Sequence, residues 1–231
     1  MVDSRGLIVK DRPSGGVTEH KVRFARDHEP VDSLAEVVKI AKPTVLIGAA
    51  AIGGAFTKEI LTAMGEFNER PVIFALSNPT SKAECTAEEA YSATAGRVVF
   101  ASGSPFDPVT INGKTYHPGQ GNNSYIFPGI ALGVICAGMK TIPEETFLIS
   151  ANALAQIVTD TDLDSGNLYP PLQDIQKCSI KIAVKVMEYA YRQALATVHP
   201  EPEDYEKFIR AQLYDTNYKT ALPVTYSWPK L

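Results

Sequence analysis

Apolar and polar positions fall into short blocks along most of this chain, and their spacing changes from block to block. Val2-Asp3-Ser4-Arg5-Gly6 reads as the end of a strand running into a turn, and Gly6–Lys10 as a short extended stretch. Pro13-Ser14-Gly15-Gly16 is a loop. Leu34, Val37, Val38 and Ala41 recur at helical spacing within Val31–Lys42, and Pro43 ends that helix. Thr44–Ala49 is an apolar run suited to a buried strand. Gly53-Gly54 then opens a helix through Phe67, and Pro71–Leu76 is another buried strand. Thr86 and Glu89 stand at capping-box spacing, starting a helix that continues to about Thr94. Arg97–Ala101 is a third short strand. Short strands alternating with longer helices indicate βαβ units and a parallel sheet. Such strands are expected to be apolar throughout, because both faces are covered. Thr110–Tyr116 holds Asn112-Gly113 and predicts a small hairpin.

After Tyr125 the pattern turns helical, over about 126–139, 144–158 and 172–196. The last segment is amphipathic, with Ile175, Ile180, Ile182, Val186, Tyr189 and Ala190 among its apolar positions. From His199 the chain is rich in proline and aromatic residues, including Tyr205, Tyr214, Tyr218, Tyr226 and Trp228. That composition suits an arm laid over another surface better than a core helix. The fold class expected is α/β: a partial Rossmann-like parallel sheet flanked by helices, with C-terminal helices and an extended tail.

Composition narrows the function classes. At 231 residues and 45% hydrophobic, the chain can bury a sizeable core. A net charge of -4 without a basic arm gives nucleic-acid binding no support. Cys85, Cys136 and Cys178 are few, odd in number and far apart, which fits buried thiols in a reducing compartment. No membrane span is expected: the longest apolar run, Ile126–Met139, is broken by Pro128, Gly129, Gly133 and Gly138. No signal or transit peptide is recognisable at the N-terminus.

Parallel sheets bind ligands at the carboxyl ends of their strands, so the candidates are the residues that follow each strand. Asp3 stands where dinucleotide folds place an acid that accepts from the adenosine ribose. Ser4 beside it could donate to a 2′-phosphate, and Lys21 could add positive charge, with Arg5 and Arg23 as neighbouring cations. The plainer alternative is a surface turn with solvated basic residues. Gly48–Gly54 lacks the lysine of a Walker loop, and no GxGxxG occurs anywhere. Its small residues, Ala51 among them, would admit a cofactor or a neighbouring strand. Ser77 and Asn78 follow the next strand, and Pro79 forces an extended exit at Asn78. Asn122 and Asn123 stand in Gly119-Gln-Gly-Asn-Asn123 before a helix, where neutral amides could bind a carboxylate or carboxamide. Ordinary turn and capping chemistry is the competing reading. His20, His28, His117 and His199 lie in polar loops without a nearby orienting partner and read as non-catalytic. Asp160–Asp164 lacks the glycine and distal glutamate of a calcium loop and reads as solvated.

Taken in order, VDSRGLIVK, KPTVLIGAAAIGGAF, NERPVIFALSNPTSKAEC, FASGSPFDPV, PGQGNNSYIFPG, LYPPL and YSWP resemble the C-terminal part of the malic enzymes, over essentially the whole chain. That family oxidatively decarboxylates L-malate to pyruvate and CO₂ with NAD or NADP and Mn²⁺ or Mg²⁺. The resemblance implies that Asp3 meets the adenosine ribose, and that Ser4 and Lys21 favour NADP, with NAD as the alternative. It adds Ala51, Ser77 and Asn78 to the cofactor-binding set. Asn78, Asn122 and Asn123 become the malate-binding set. It also implies three segments: a partial NAD(P)-binding Rossmann-like domain over 1–121, a helical segment over 122–194 that packs on a preceding domain, and an extension over 195–231 that serves as an oligomer contact.

Dimers or tetramers are implied, in the cytoplasm or the mitochondrial matrix. The family's catalytic tyrosine and lysine, its malate-binding arginine, its three acidic metal ligands and its Gly-rich phosphate turn have no counterpart here. The chain therefore reads as a fragment that is inactive alone and that folds poorly or associates. A non-catalytic product that binds NADP or joins full-length subunits is the alternative.

Overall fold

The computed structural model describes residues 1–13 and 15–214, in two compact units. The first unit comprises residues 1–124 and 155–174, and the second begins at 125–154 and resumes at 175. The tail positions Tyr218, Tyr226 and Trp228, and Ser14 of the first loop, lie outside the described residues.

In the first unit, β1 (Val2–Asp3) and β2 (Gly6–Leu7) form a minimal antiparallel hairpin, followed by the short helix α1 (Glu19–Val22). Helix α2 (Leu34–Ala41) is capped by the Ser33 side chain, which accepts from the amide of Glu36. It ends at Lys42 in a left-handed conformation before Pro43. Strand β3 (Val45–Gly48), helix α3 (Lys58–Phe67), strand β4 (Val72–Ala75), helix α4 (Ala87–Ala93) and strand β5 (Val99–Ser102) follow in the expected alternation. Both sides of the capping box at Thr86 and Glu89 are formed. Helix α3 starts later than the glycine pair at residues 53 and 54 suggests. Thr57 supplies the cap, and the residues before it remain a loop with Ala51 and Gly54 at positive φ.

The hairpin of β6 (Val109–Ile111) and β7 (Lys114–Tyr116) turns through Asn112 and Gly113, both at positive φ as a type I′ turn requires. A further strand, β8 (Gly119–Gln120), was not expected from its flexible composition. It joins the parallel sheet beside β5, giving the order β3-β4-β5-β8.

The register puts Leu46, Ile73 and Phe100 in one row, and Gly48, Ala75 and Ser102 in another on the same face. That face is the core. Ile73, Ala75 and Phe100 pack with Ile60, Leu61 and Met64 of α3 and Ala87, Ala90 and Tyr91 of α4. The opposite face is open at its β3 end, where Val45 is 47% and Ile47 is 58% exposed. The expectation of strands covered on both faces therefore fails at β3, which is also the last strand of the sheet. Helix α7 (Asp160–Asp164) completes this unit. The acidic run read as a loop is one capped turn, with Thr159 and Asp162 closing a capping box.

The second unit is helical: α5 (Phe127–Ala137), α6 (Glu144–Ala155, whose last residue falls to the first unit), α8 (Ile175–Arg192) and α9 (Tyr205–Gln212). Gly129 and Gly133 let α5 approach α8 closely. A Cβ on either would come within 2.7 Å of Ile182 or Val186. Helix α9 corrects the reading of this stretch as an arm. Asp204 caps it, Glu206 and Arg210 pair one turn apart, and Ile209 is fully buried. Among the described residues no helix is long and apolar enough to cross a membrane.

Candidate functional site

Two carboxylates organise the loops that follow the strands. The first is Asp3, at the end of β1. Its Oδ2 accepts from Lys21 Nζ at 2.7 Å and from Arg12 at 2.9 Å, and its Oδ1 accepts from the Arg5 backbone amide at 3.0 Å. A second Arg12 nitrogen also donates to Oδ1. The fork of Arg12 is thus bidentate, the strongest geometry for a guanidinium on a carboxylate. The Arg12 side chain is 5% exposed and that of Asp3 21%. Its hydrogen bonds with Arg12 and then Lys21 hold the Asp3 carboxyl well below the usual carboxylate range.

Ser4 lies in the exposed turn beside it. The sequence candidates Asp3 and Lys21 are therefore brought together, although 18 residues separate them, and Ser4 is next to Asp3 in the chain. Arg23 instead stacks on Phe24, 4.7 Å from the ring centre. Arg12, the closest partner of Asp3, was missed. It sits in a polar turn next to Pro13, with no local signal that it folds back on the strand end.

The second carboxylate is Glu84, 1% exposed beneath the ends of β3 and β4. Every hydrogen bond formed with its carboxyl group is donated to it. Ser77 gives its hydroxyl to Oε1 and its amide to Oε2, the latter at 3.4 Å, and the Ala50 amide reaches Oε1 at 3.3 Å. The Ser77 hydroxyl in turn accepts from the amide of Ala51 at 2.8 Å. Two cofactor candidates, Ala51 and Ser77, are therefore bonded to each other. Ala51 is held at φ 55, a conformation rare for a residue with a Cβ. The backbone adds two ties across the same gap: Gly54 N donates to Ala83 O and Phe56 N to Glu84 O. Gly48 is required where it stands, since a Cβ there would lie 2.4 Å from Glu84 Cδ.

The asparagine candidates present one polarity. Asn78 Oδ1 accepts from the Ser104 hydroxyl at 2.6 Å, and Asn122 Oδ1 accepts from the Ser124 amide at 2.9 Å. With the oxygens committed, the amide nitrogens remain as donors. Gly103 admits the Asn78 side chain, whose Nδ2 would stand 2.8 Å from a Cβ at that position. Asn123 begins the 3₁₀ turn Asn123–Tyr125, and all three asparagines are exposed. Their strand-end loops are laced together by Leu76 N to Gly48 O, Gly103 N to Ala75 O and Gly121 N to Ser102 O. The Asp3 cluster thus sets two cations against one acid, and Asn78 and Asn122 each keep an amide donor. Among the described residues, no group of three or more His, Cys, Asp or Glu side chains is placed to hold a metal ion.

Residues 1–191 match the family model described as "Malic enzyme, NAD binding domain". The chain belongs to the malic enzyme family. NADP-dependent malic enzymes of Anas platyrhynchos and Homo sapiens are 58% and 56% identical to it over all 231 residues. The mitochondrial NADP-dependent malic enzyme of Homo sapiens is 55% identical over the same span. These alignments take in 41%, 40% and 38% of the relatives, so the chain spans about two-fifths of their length. The crystal structure of Entamoeba histolytica malic enzyme superposes with a TM-score of 0.62. It covers 80% of this chain and 34% of that one at 24% identity, and supports the Rossmann-like fold alone.

Proposed function

We propose that this chain supplies the NADP- and malate-orienting loops of an enzyme that oxidatively decarboxylates L-malate to pyruvate and CO₂. The observation that carries the reading is the cluster at Asp3. An acid at this point of a dinucleotide fold accepts from a ribose 2′-hydroxyl and repels a 2′-phosphate. Here that acid is matched by Arg12 and Lys21, so the region is cationic on balance and suits the phosphate of NADP. Ser4 and Lys21 would hold that phosphate, and the loops of Ala51, Ser77 and Asn78 the other end of the cofactor. Bound NADP supplies the hydride acceptor. The donor-facing amides of Asn78 and Asn122, with Asn123 beside them, would orient the malate carboxylate, which needs donors and no added charge.

Orientation is the whole contribution we assign to these residues. The described residues do not fit a Mn²⁺ or Mg²⁺ site. The 231-residue chain is therefore proposed to bind NADP without turning over malate. A malate- and NADP-dependent absorbance assay tests this. No formation of NADPH is expected, and turnover at enzyme-like rates would refute it.

A second reading is association with further copies or with longer subunits, favoured by the bare apolar positions Val45 and Ile47 on the end strand. Sedimentation of the chain separates it from a monomeric state.

A further inference from the structure

We infer that Glu84 is a positioning residue, which sets the geometry of the cofactor loops through Ser77. The inference deepens the cofactor reading above and rests on it. The Ser77 hydroxyl has one proton, and that proton goes to Glu84. Its lone pair takes the Ala51 amide. Ser77 is itself buried, so its hydroxyl is spent within the protein. What faces outward is the exposed backbone of residues 49–54, and its path is dictated by where the Ala50 and Ala51 amides are held. Glu84 supplies the acceptor for Ala50 directly and for Ala51 by way of Ser77. It also lies directly against Gly48, where a Cβ would come within 2.4 Å of its Cδ. A single buried carboxyl group thus couples the ends of two neighbouring strands. Ala51 is kept at its positive φ by the same contact.

The full 231-residue chain, Ser77→Ala and Glu84→Gln are compared by residue-resolved amide exchange, melting temperature and NADP titration. Glutamine keeps the volume of Glu84 but turns a donor toward the Ser77 amide. Ser77→Ala should raise exchange at Ala51 about tenfold and leave Ala50 protected, since one hydrogen bond in a carboxylate-anchored chain is lost. Glu84→Gln should raise exchange at Ser77 by a similar factor. Both should weaken NADP binding about tenfold, while the amides of the β4–β5 ladder stay protected.

The inference is overturned if both variants bind NADP as tightly as the unaltered chain. It is also overturned if protection is lost evenly across the sheet, which would mark a merely structural role. An unaltered chain that binds no NADP would instead refute the cofactor reading. The Ala51 and Ser77 exchange pattern would then still decide whether Glu84 holds the loops.

Discussion

The Asp3 cluster and the Glu84 cluster hold a carboxylate in opposite ways. Asp3 is partly exposed, and charged side chains from nine and 18 residues away neutralise it. Glu84 is sealed from water, and neutral amides and a hydroxyl satisfy it. The Lys21 pair lies nearer solvent and is screened by salt, whereas the bidentate Arg12 pair is shielded, and together they set the local charge. A buried acceptor is costly to disturb, because each donor left behind loses about 1–3 kcal/mol. The second arrangement therefore fixes shape. One region would select a ligand by charge under the proposed function, and the other would hold the loop backbone that receives it.

The contrast is broken most severely by Gly48→Ala. The new methyl would overlap the buried Glu84 side chain, 2.4 Å from its Cδ. Overpacking of this kind costs about 1–3 kcal/mol, and a denaturant melt should show a loss in that range. A variant as stable as the original would mean that the Glu84 pocket is looser than its contacts imply.

Asp3→Asn is expected to cost less and to depend on pH and salt. The folded Asp3 titrates below its ordinary value of 3.8, so its contribution is complete above that pH. It is lost as the pH falls through the lower folded value. The stability gap between Asp3→Asn and the original should stay constant from about pH 5 to 8, narrow below about pH 4 and shrink in added salt. A gap that widens on acidification would contradict the pairing.

The smallest effect concerns Cys85, which adjoins Glu84 in the chain. Burial pushes its thiol up to about 12, and the charges of Glu89 and Glu84 add to the rise. Native protein at pH 8 should leave Cys85 unmodified by iodoacetamide, with labelling only after denaturation. Rapid native labelling would show that the Glu84 region opens.

Much of this was legible in the sequence wherever the signal is local. The run Pro71–Leu76, the Thr86 capping box and the Asn112-Gly113 turn each carry their structure within a few residues. Helix α9 was hidden because its apolar face reduces to few positions among prolines and tyrosines, and its stability comes from Asp204 and the Glu206–Arg210 pair. Strand β8 was hidden because Gly119-Gln120 has no strand propensity and pairs only because β5 is beside it. The site shows the same division. Asp3 and Ser77 became candidates from their places at strand ends, and each holds a local hydrogen-bond network. Arg12 and Glu84 were missed because their partners lie across loops, 34 residues apart for Glu84 and Ala50.

Calorimetric titration of the 231-residue chain with NADP and with NAD tests the central claim most directly. NADP should bind about tenfold more tightly, and Lys21→Ala should remove most of that preference, because one charge-assisted contact to the 2′-phosphate is lost. Equal affinities for the two cofactors, or a preference that survives Lys21→Ala, would contradict the assignment of the Asp3 cluster to the 2′-phosphate.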